Sequence, residues 1–410
     1  HQLGAAAASL WSLVNTTNVG AVDGDRWLVD LCDLALGAAD ALTPSIRARV
    51  LGMSALLHLW VGDEVEAENV RHAVGLAAEA GDVVTSYVVA SASYGTDLTH
   101  GLTPGRARAY LELLESSVDA DVDWQIKGMA AVSMAMLCST LGDAPGFALA
   151  RQRIETARDT LGSPRLASWS AWLEAMEGLR RGAWDQVLAA TTAARDVTVD
   201  PLIGDVMWAV HTGSVLLHQG RAGEILAYVG DVPALGGIEG SVGAYRALVE
   251  ALAGDDRATA TIDGVLALGP LRGQPSGLAT VGSTAWAVAV AGHRDAAPAV
   301  EEALRRYTGL IASGGIVEIG AVDRLLGMML ALQGRHDEAD GWFRSGLELE
   351  TAFGATVPAT HTRYWWATSL LDRGRAADVD QASELIADCV ATADSLGMSQ
   401  VATDARALLF

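Results

Sequence analysis

The chain has 410 residues and a formal net charge of -22, and half of its residues are hydrophobic. This excess of carboxylates argues against direct binding of nucleic acid or of an anionic membrane, because both depend on clustered Lys and Arg. Lys127 is the only lysine, and Gly128 follows it where a phosphate-binding loop has Ser or Thr, which excludes a P-loop ATPase within these residues.

The cysteines indicate a reducing compartment. Cys32, Cys138 and Cys389 lie far apart in apolar helical contexts, without a CxxC pair, so we expect three small buried hydrophobic residues and no disulfide framework. With no secretory signal, the protein is expected to be cytoplasmic. The longest apolar stretch, residues 277–292, is too short and too rich in Ser, Thr and Gly to cross a bilayer. The chain starts at His1 rather than Met, which predicts a fragment of a longer protein.

In chain order, the sequence begins with a helix around Trp11, a turn at residues 20–24 and an amphipathic helix through Trp27 and Leu34. Pro44 then opens the next helix, at a position where its missing N–H costs nothing. Further helices are predicted over residues 46–60, 64–80, 83–98, 106–118, 124–141, 145–161, 166–181, 184–195, 221–229, 278–291, 361–372, 380–396 and 399–409.

Residues 321–349 carry the strongest pattern. Gly334 makes a turn between two apolar helices, and Ala339, Phe343 and Gly346 follow at steps of four and three. Small and large residues alternate where two antiparallel helices must cross closely, which is typical of a tetratricopeptide hairpin. One such hairpin cannot bury its own apolar face, so neighbouring hairpins are expected.

Ten glycines between apolar helices share this turn position, spaced 34 to 42 residues apart. This period predicts an all-α, right-handed α-solenoid of about ten tetratricopeptide-like hairpins. The pattern weakens in a Gly- and Pro-containing link, which predicts N-terminal repeats over 1–229, a hinge at 230–240 and C-terminal repeats over 241–410 of one continuous solenoid. The turn glycines are Gly24, Gly62, Gly101, Gly142, Gly182, Gly220, Gly254, Gly292, Gly334 and Gly374.

Signs of catalysis are missing from the sequence. No stretch alternates apolar and polar residues as a half-buried strand does, so the whole chain is predicted to be helical. There is no GxSxG, HExxH or Cys/His metal spacing. His211 and His218 are two helical turns apart, too far for one metal without a third ligand, and the Glu301-Glu302 pair is interpreted as a charged helix start. We therefore expect no enzyme, no metal and no cofactor.

The remaining functional surface is the concave groove of the solenoid. In a tetratricopeptide array the first helix of each hairpin lines this groove, and counting back from the turn glycines selects the residues that face it. Met and Trp are adaptable contact residues that suit a peptide or a small apolar molecule. Taken singly, however, a Trp or Met at such a position is more often buried between neighbouring repeats. The predicted binding residues are Met53, Trp60, Met136, Trp169, Trp172, Met176, His211, Tyr245, Trp286, Arg324, Tyr364 and Trp365.

Two parts of the chain resemble a known family. Leu10-Trp11, Trp27 and the string at 46–51, together with the strings at 361–364 and 370–374, resemble the tetratricopeptide region of large bacterial STAND-type transcriptional regulators of the MalT, LuxR and antibiotic-regulatory (SARP) types. The resemblance implies a sensor that binds an inducer or partner protein and controls an NTPase and a DNA-binding domain. Neither of those domains has its motifs in these residues, so both would lie outside them.

Three functions stay open. The first is a sensor and interaction domain of such a regulator, with a small apolar effector or a protein as its partner. The second is a free-standing scaffold or adaptor that engages a protein, with the acidic outer face as one binding surface. The third is an enzyme, for which the sequence offers no trio of His, Cys, Ser or carboxylate at useful spacing.

Overall fold

The computed structural model describes residues 26–38, 40, 42–60, 67–199, 201–229, 239–268, 277–314 and 317–409. The predicted helix around Trp11, the turn glycines Gly24 and Gly62, and residues 230–238 of the predicted hinge lie outside these ranges.

Within the described ranges the chain forms twenty α-helices and one two-stranded sheet. The all-α prediction is confirmed, and consecutive helices pack on one another as in a solenoid; its handedness stays a prediction. The helices are α1 (Arg26–Leu36), α2 (Pro44–Trp60), α3 (Ala67–Ala80), α4 (Val83–His100), α5 (Pro104–Asp119), α6 (Trp124–Leu141), α7 (Ala144–Leu161), α8 (Pro164–Arg181), α9 (Trp184–Val197), α10 (Pro201–His218), α11 (Ala222–Val229), α12 (Glu239–Leu252), α13 (Ala258–Leu268), α14 (Gly277–Val290), α15 (Ala297–Leu304), α16 (Val322–Leu332), α17 (His336–Ala352), α18 (Thr356–Arg373), α19 (Val379–Leu396) and α20 (Ser399–Ala407).

Several helices begin with a side-chain cap. The Thr103 hydroxyl accepts a hydrogen bond from the Arg106 backbone N–H at 3.3 Å, and the Ser163 hydroxyl accepts one from the Leu166 N–H at 3.4 Å. Each cap supplies a partner to one of the amide groups that the first helical turn leaves unpaired. A proline directly follows both caps, where its fixed φ favours the helix and its missing N–H costs nothing.

The turn glycines bend the chain between the helices of each hairpin. The eight that lie in the described ranges all have positive φ, from 63° to 123°. Side chains with a Cβ adopt this left-handed region at a cost, so glycine is favoured at each turn. The predicted period is therefore confirmed for those eight turns, from Gly101 to Gly374.

One segment departs from the helical prediction. Residues Ile311–Ser313 (β1) and Glu318–Ala321 (β2) pair as antiparallel strands, with an irregularity between Ala312 and Ser313. The prediction of helix throughout was wrong here, because β1 is buried on both faces and a strand of that kind lacks the polar–apolar alternation that marks a half-buried strand.

The strongest predicted hairpin is held together by small residues facing large ones. A Cβ added at Gly327 of α16 would lie 2.9 Å from the Phe343 ring of α17, and one added at Gly346 would lie 2.7 Å from the Arg324 backbone nitrogen. Both positions therefore have to lack a side chain, because a Cβ at either one would keep α16 and α17 apart. This confirms the predicted alternation of small and large residues.

A glycine without such a contact should behave differently. Gly264 lies in α13 with no atom within 4 Å of an added Cβ. We expect Gly264→Ala to raise the free energy of unfolding by up to about 1 kcal/mol, because alanine favours the helix and restricts the unfolded chain. Urea denaturation followed by circular dichroism measures the change. A loss of stability would contradict the open position of Gly264.

The helices form two layers. We call α2, α4, α6, α8, α10, α12, α14, α16 and α18, the first helices of the hairpins, the inner helices. Neighbouring inner helices pack on one another from α2 to α10 and from α12 to α18, so each of these two runs forms one stretch of wall. The second helices of the hairpins cover one side of this wall.

The wall closes on itself. We call residues 26–229 the N-terminal half and residues 239–409 the C-terminal half. Inner helix α4 contacts α14, α6 contacts β1, and α8 contacts both β2 and α18. Inner helices of the two halves therefore face and touch each other. In the described part of the chain, no helix combines the length and the apolar character that a membrane span requires.

Candidate functional site

The contact between the two halves contains ionisable and aromatic side chains that stand out from its apolar surroundings. We call six of them the interior cluster. They come from α9, α10, α14, α16, α17 and α18, so no single hairpin could form it. Its members are Trp184, His218, Trp286, Arg324, Glu350 and His361.

Arg324 and Glu350 form a buried ion pair at the centre of the interior cluster. Both side chains are 0% exposed, and Arg324 Nε lies 3.6 Å from Glu350 Oε1. Glu350 Oε1 accepts a hydrogen bond from the Ala321 backbone N–H at 2.8 Å, and Oε2 accepts one from the Thr362 hydroxyl at 2.5 Å. Burial raises the pKa of the Glu350 carboxyl despite the nearby Arg324 charge.

The guanidinium of Arg324 is only partly satisfied. Its Nη2 donates to the Ile319 carbonyl oxygen, but Nε and Nη1 have no hydrogen-bond partner. The Trp286 ring lies beneath the guanidinium, with 5.4 Å between the guanidinium carbon and the ring centroid. Burying a cation with unpaired donors lowers the free energy of unfolding. The position therefore combines an apolar wall, the Trp286 ring, with a positive charge whose hydrogen-bond donors are not all satisfied.

The two histidines of the interior cluster touch across the halves. His218 Nδ1 of α10 lies 3.3 Å from His361 Nε2 of α18. His361 is buried, whereas part of His218 reaches solvent. Desolvation, followed by the Arg324 charge, lowers the pKa of His218 to about 3, and desolvation, His218 and Arg324 hold the pKa of His361 well below its usual value. Both rings are therefore neutral at pH 7.

A second polar contact joins the halves farther along the interior. Arg180 of α8 pairs with Glu318 of β2 at 3.3 Å between Nη1 and Oε1, and both side chains are nearly inaccessible to solvent. The Ser139 hydroxyl donates to the same Glu318 oxygen at 2.6 Å. The Phe353 ring centroid lies 3.9 Å from the guanidinium carbon. This pair connects the N-terminal half to the strand that the sequence did not predict.

Hydrogen bonds to backbone atoms complete the contact. Trp184 Nε1 donates to the Leu396 carbonyl oxygen at 2.6 Å, and the Ser399 hydroxyl donates to the Gln219 carbonyl oxygen at 2.6 Å. The Tyr307 hydroxyl donates to the Leu98 carbonyl oxygen at 3.0 Å. Since these bonds need defined side-chain positions, they fix how the halves align as well as hold them.

The predicted groove residues lie in this wall, but it is not an open groove. Among the described side chains, Met53, Trp172, Met176, His211, Trp286 and Arg324 are buried, and Met136, Trp169, Tyr245, Tyr364 and Trp365 are half-buried. Packing of neighbouring helices covers these side chains in the described part, and Trp286 also packs against His218 of the facing half with ring centroids 5.9 Å apart. Trp60 ends α2, and its side chain lies outside the described residues.

The structure brings only a few of the predicted residues together. Trp286 and Arg324 meet in the interior cluster, and Trp169 and Trp172 form an edge-to-face pair with ring centroids 5.3 Å apart. Tyr364 and Trp365 form a similar pair at 5.3 Å. The others are spread along the wall: His211 contacts the Thr191 hydroxyl at 3.2 Å, Tyr245 packs against Gly213, and Met53, Met136 and Met176 lie in separate helices.

His218, His361, Trp184 and Glu350 were not among the residues predicted from the sequence. His218 was considered only with His211, although its partner in the structure is 143 residues away. No local spacing reveals such a contact. A weak signal existed for His361, which lies among the inward-facing residues of its helix at three positions before Tyr364.

The described residues contain neither a cluster of metal-ligating side chains nor a reactive thiol. No set of three or more His, Cys, Asp or Glu side chains there could hold a metal ion. Burial raises the pKa of each cysteine thiol to about 12, so all three are protonated and unreactive at pH 7. The sequence placed Glu301 at a helix start, but it lies in the middle of α15. Its carboxylate accepts hydrogen bonds from Arg305, Gln333 and Arg335.

The outer surface offers a polar depression of about 660 Å³ near three of the turns. Arg294, Gln333, His336 and Asp372 line it, and His336 is engaged with the Ser369 hydroxyl at 3.1 Å. It lacks the aromatic walls and the buried charge of the interior cluster. The interior cluster is therefore the stronger candidate.

Comparisons with family models and with curated proteins found no match for the chain.

Proposed function

We propose that the chain is the sensor and interaction domain of a transcriptional regulator, and that it binds an effector or partner between its two halves. The observation that carries this proposal is the interior cluster, where a buried guanidinium with two unpaired nitrogens lies beside Trp286. Apolar walls with a few convergent polar groups are typical of ligand sites. The family resemblance in the sequence supplies the regulatory part of the proposal.

A sensor needs two states, and we propose that the closed arrangement is one of them. In a repeat array each hairpin contacts mainly its neighbours, so small rotations add up along the chain. The contacts between α4 and α14 and between α8 and α18 are long-range and can separate while every hairpin stays intact. A ligand that prefers the open array shifts the population toward it by its difference in affinity for the two states.

The interior residues fit binding better than catalysis. Trp and Met side chains give contact area, and Arg324 supplies a fixed positive charge for orientation. A reaction would also need a nucleophile or a general acid with access to substrate. We therefore assign recognition, without a chemical step and without a cofactor, to this interior.

A free-standing adaptor is the second candidate, and the outer surface favours it in one respect. With a formal net charge of -22 and many arginines already paired with carboxylates, the exposed face can attract a basic partner. This function would use the outer helices, so variants of the interior cluster would leave partner binding unchanged.

A binding screen separates the two functions. Purified protein is scanned by thermal shift against a library of small effectors and a peptide pool, and each hit is titrated by tryptophan fluorescence with iodide as quencher. A sensor should yield a hit whose affinity falls by about tenfold or more in Trp286→Phe, since buried aromatic contacts dominate binding. The matched control is Trp124→Phe, which changes an exposed ring in α6.

Two outcomes would overturn the proposal. One is a hit that binds wild type and Trp286→Phe equally, because its site would then lie outside the interior. The other concerns the regulatory role alone. If the complete reading frame encodes neither an NTPase nor a DNA-binding domain, the chain is an adaptor or a separate receptor.

A further inference from the structure

The two halves meet at a pair of histidines. His218, the last residue of α10, and His361 of α18 lie 3.3 Å apart between Nδ1 and Nε2. We infer that this contact is a proton-sensitive clasp, which holds the halves together while both rings are neutral and releases them when the accepting nitrogen is protonated. This inference goes beyond the proposed function, since it requires neither an effector nor a regulator.

Burial favours the neutral form of the two rings, because it removes water from both imidazoles. Trp184 stacks on His218 with ring centroids 5.9 Å apart, and Trp286 packs edge-on against His361 at 4.8 Å. Within the contact one ring nitrogen donates its hydrogen and the other accepts it, so the accepting ring must be neutral. Protonation of the accepting nitrogen replaces the hydrogen bond by two opposed N–H groups. The contact then becomes repulsive.

The nearest charge opposes protonation as well. Arg324 on α16 lowers the pKa of both His218 and His361. The carboxylate partner of Arg324 is Glu350 on α17, and its oxygens already interact with Arg324, the Ala321 N–H and the Thr362 hydroxyl. A newly formed imidazolium would therefore be repelled by the Arg324 guanidinium and would find no free carboxylate on this helix pair to offset that repulsion.

The other elements packed around the rings do not supply a compensating anion. Helix α14 has no ionisable residue, and Glu318 of β2 is occupied by Arg180 of α8. Arg363, two residues from His361, adds another positive charge and lies 3.9 Å from Asp388. The carboxylates and arginines of α9, α11 and α19 are exposed, and so is Arg406 of α20. Asp404 of α20 lies near Tyr364.

The direction of the pH effect follows from the lowered pKa values. When the halves separate, each imidazole returns to water and regains a pKa near its ordinary value of about 6.5. Between that value and the lower closed-state pKa, the open form binds more protons, so closure is complete above about pH 6.5 and weakens as pH falls. Each ring then changes the opening equilibrium by about tenfold per pH unit, and the two together by up to about hundredfold.

Small-angle X-ray scattering tests the clasp on the purified chain. The radius of gyration is measured from pH 8 to pH 5, and helix content is followed in parallel by far-ultraviolet circular dichroism. We expect an expansion below about pH 6.5 with unchanged helix content. The double variant His218→Gln/His361→Gln should stay compact over the whole range, because glutamine keeps a neutral hydrogen-bonding group and cannot be protonated there.

The matched control is His293→Gln, which changes a histidine paired with Asp263 on the surface of the C-terminal half. It should expand at the same pH as wild type. Wild type that stays compact down to pH 5 would overturn the clasp, and so would a double variant that expands with the wild-type midpoint. If the double variant does not fold, His361→Asn alone replaces it. This variant should weaken the pH dependence of the expansion by about tenfold per pH unit, and an unchanged pH dependence would overturn the clasp.

Discussion

Glu350→Leu should lower the free energy of unfolding by about 3–5 kcal/mol, because it leaves Arg324 as a buried cation without its carboxylate. The pair is 0% exposed on both sides, so solvent cannot take over the role of Glu350. The same change removes the acceptors of Ala321 N–H and the Thr362 hydroxyl, which adds to the loss. Equilibrium denaturation in urea, followed by circular dichroism, measures it.

A second substitution separates the charge from the loss of packing. In Arg324→Met/Glu350→Leu no charge is left unpaired, so the double variant should recover about 2 kcal/mol relative to the sum of the single changes. Strict additivity of the two single variants would show that Arg324 and Glu350 do not depend on each other. The proposed ion pair at the centre of the interior cluster would then be incorrect.

The repeat architecture could be predicted because its determinants are local. Each hairpin needs a left-handed turn, and eight of the predicted turn glycines have the required positive φ. Close helix crossing needs a small residue opposite a large one, as at Gly327 and Phe343. Such requirements recur with the period of the repeat and are therefore visible in the sequence.

The strand pair and the closure of the wall could not be predicted in the same way. β1 is short and buried on both faces, so it has no alternating pattern. Contacts such as Trp184 with the Leu396 carbonyl oxygen, 212 residues apart, depend on the sum of many small rotations between hairpins. A sequence pattern determines each hairpin but not that sum.

The candidate site shows the same division. Trp286 and Arg324 were selected because their helical positions face the concave side, and both do lie in the interior. Their partners His218 and Glu350 were not selected, because His218 belongs to the opposite half and Glu350 lies on a second helix of its hairpin. Counting along first helices finds the wall of a site, whereas the groups that reach it from elsewhere appear only in three dimensions.

Gly277→Val should separate α4 from α14 and open this end of the contact between the halves. A Cβ at Gly277 would lie 2.7 Å from the Leu98 carbonyl oxygen and 3.0 Å from Thr99 Cα, and backbone atoms of a packed helix cannot move aside locally. The Leu98 oxygen also accepts the Tyr307 hydroxyl at 3.0 Å, so the displacement removes that hydrogen bond as well. Overpacking of this kind costs about 1–3 kcal/mol.

Hydrogen exchange and scattering distinguish opening from general destabilisation. Amide exchange should accelerate at the end of α4 and the start of α14, while α17 and α19, which lie away from this contact, keep their protection. The radius of gyration should increase. Gly264→Ala, at a position with open space around an added Cβ, should leave the radius of gyration unchanged and should not accelerate exchange at these two helix ends. If exchange instead rises evenly through the chain with no change in size, the α4–α14 contact stabilises the fold without controlling closure, and the two-state array on which the proposed sensor depends loses its support.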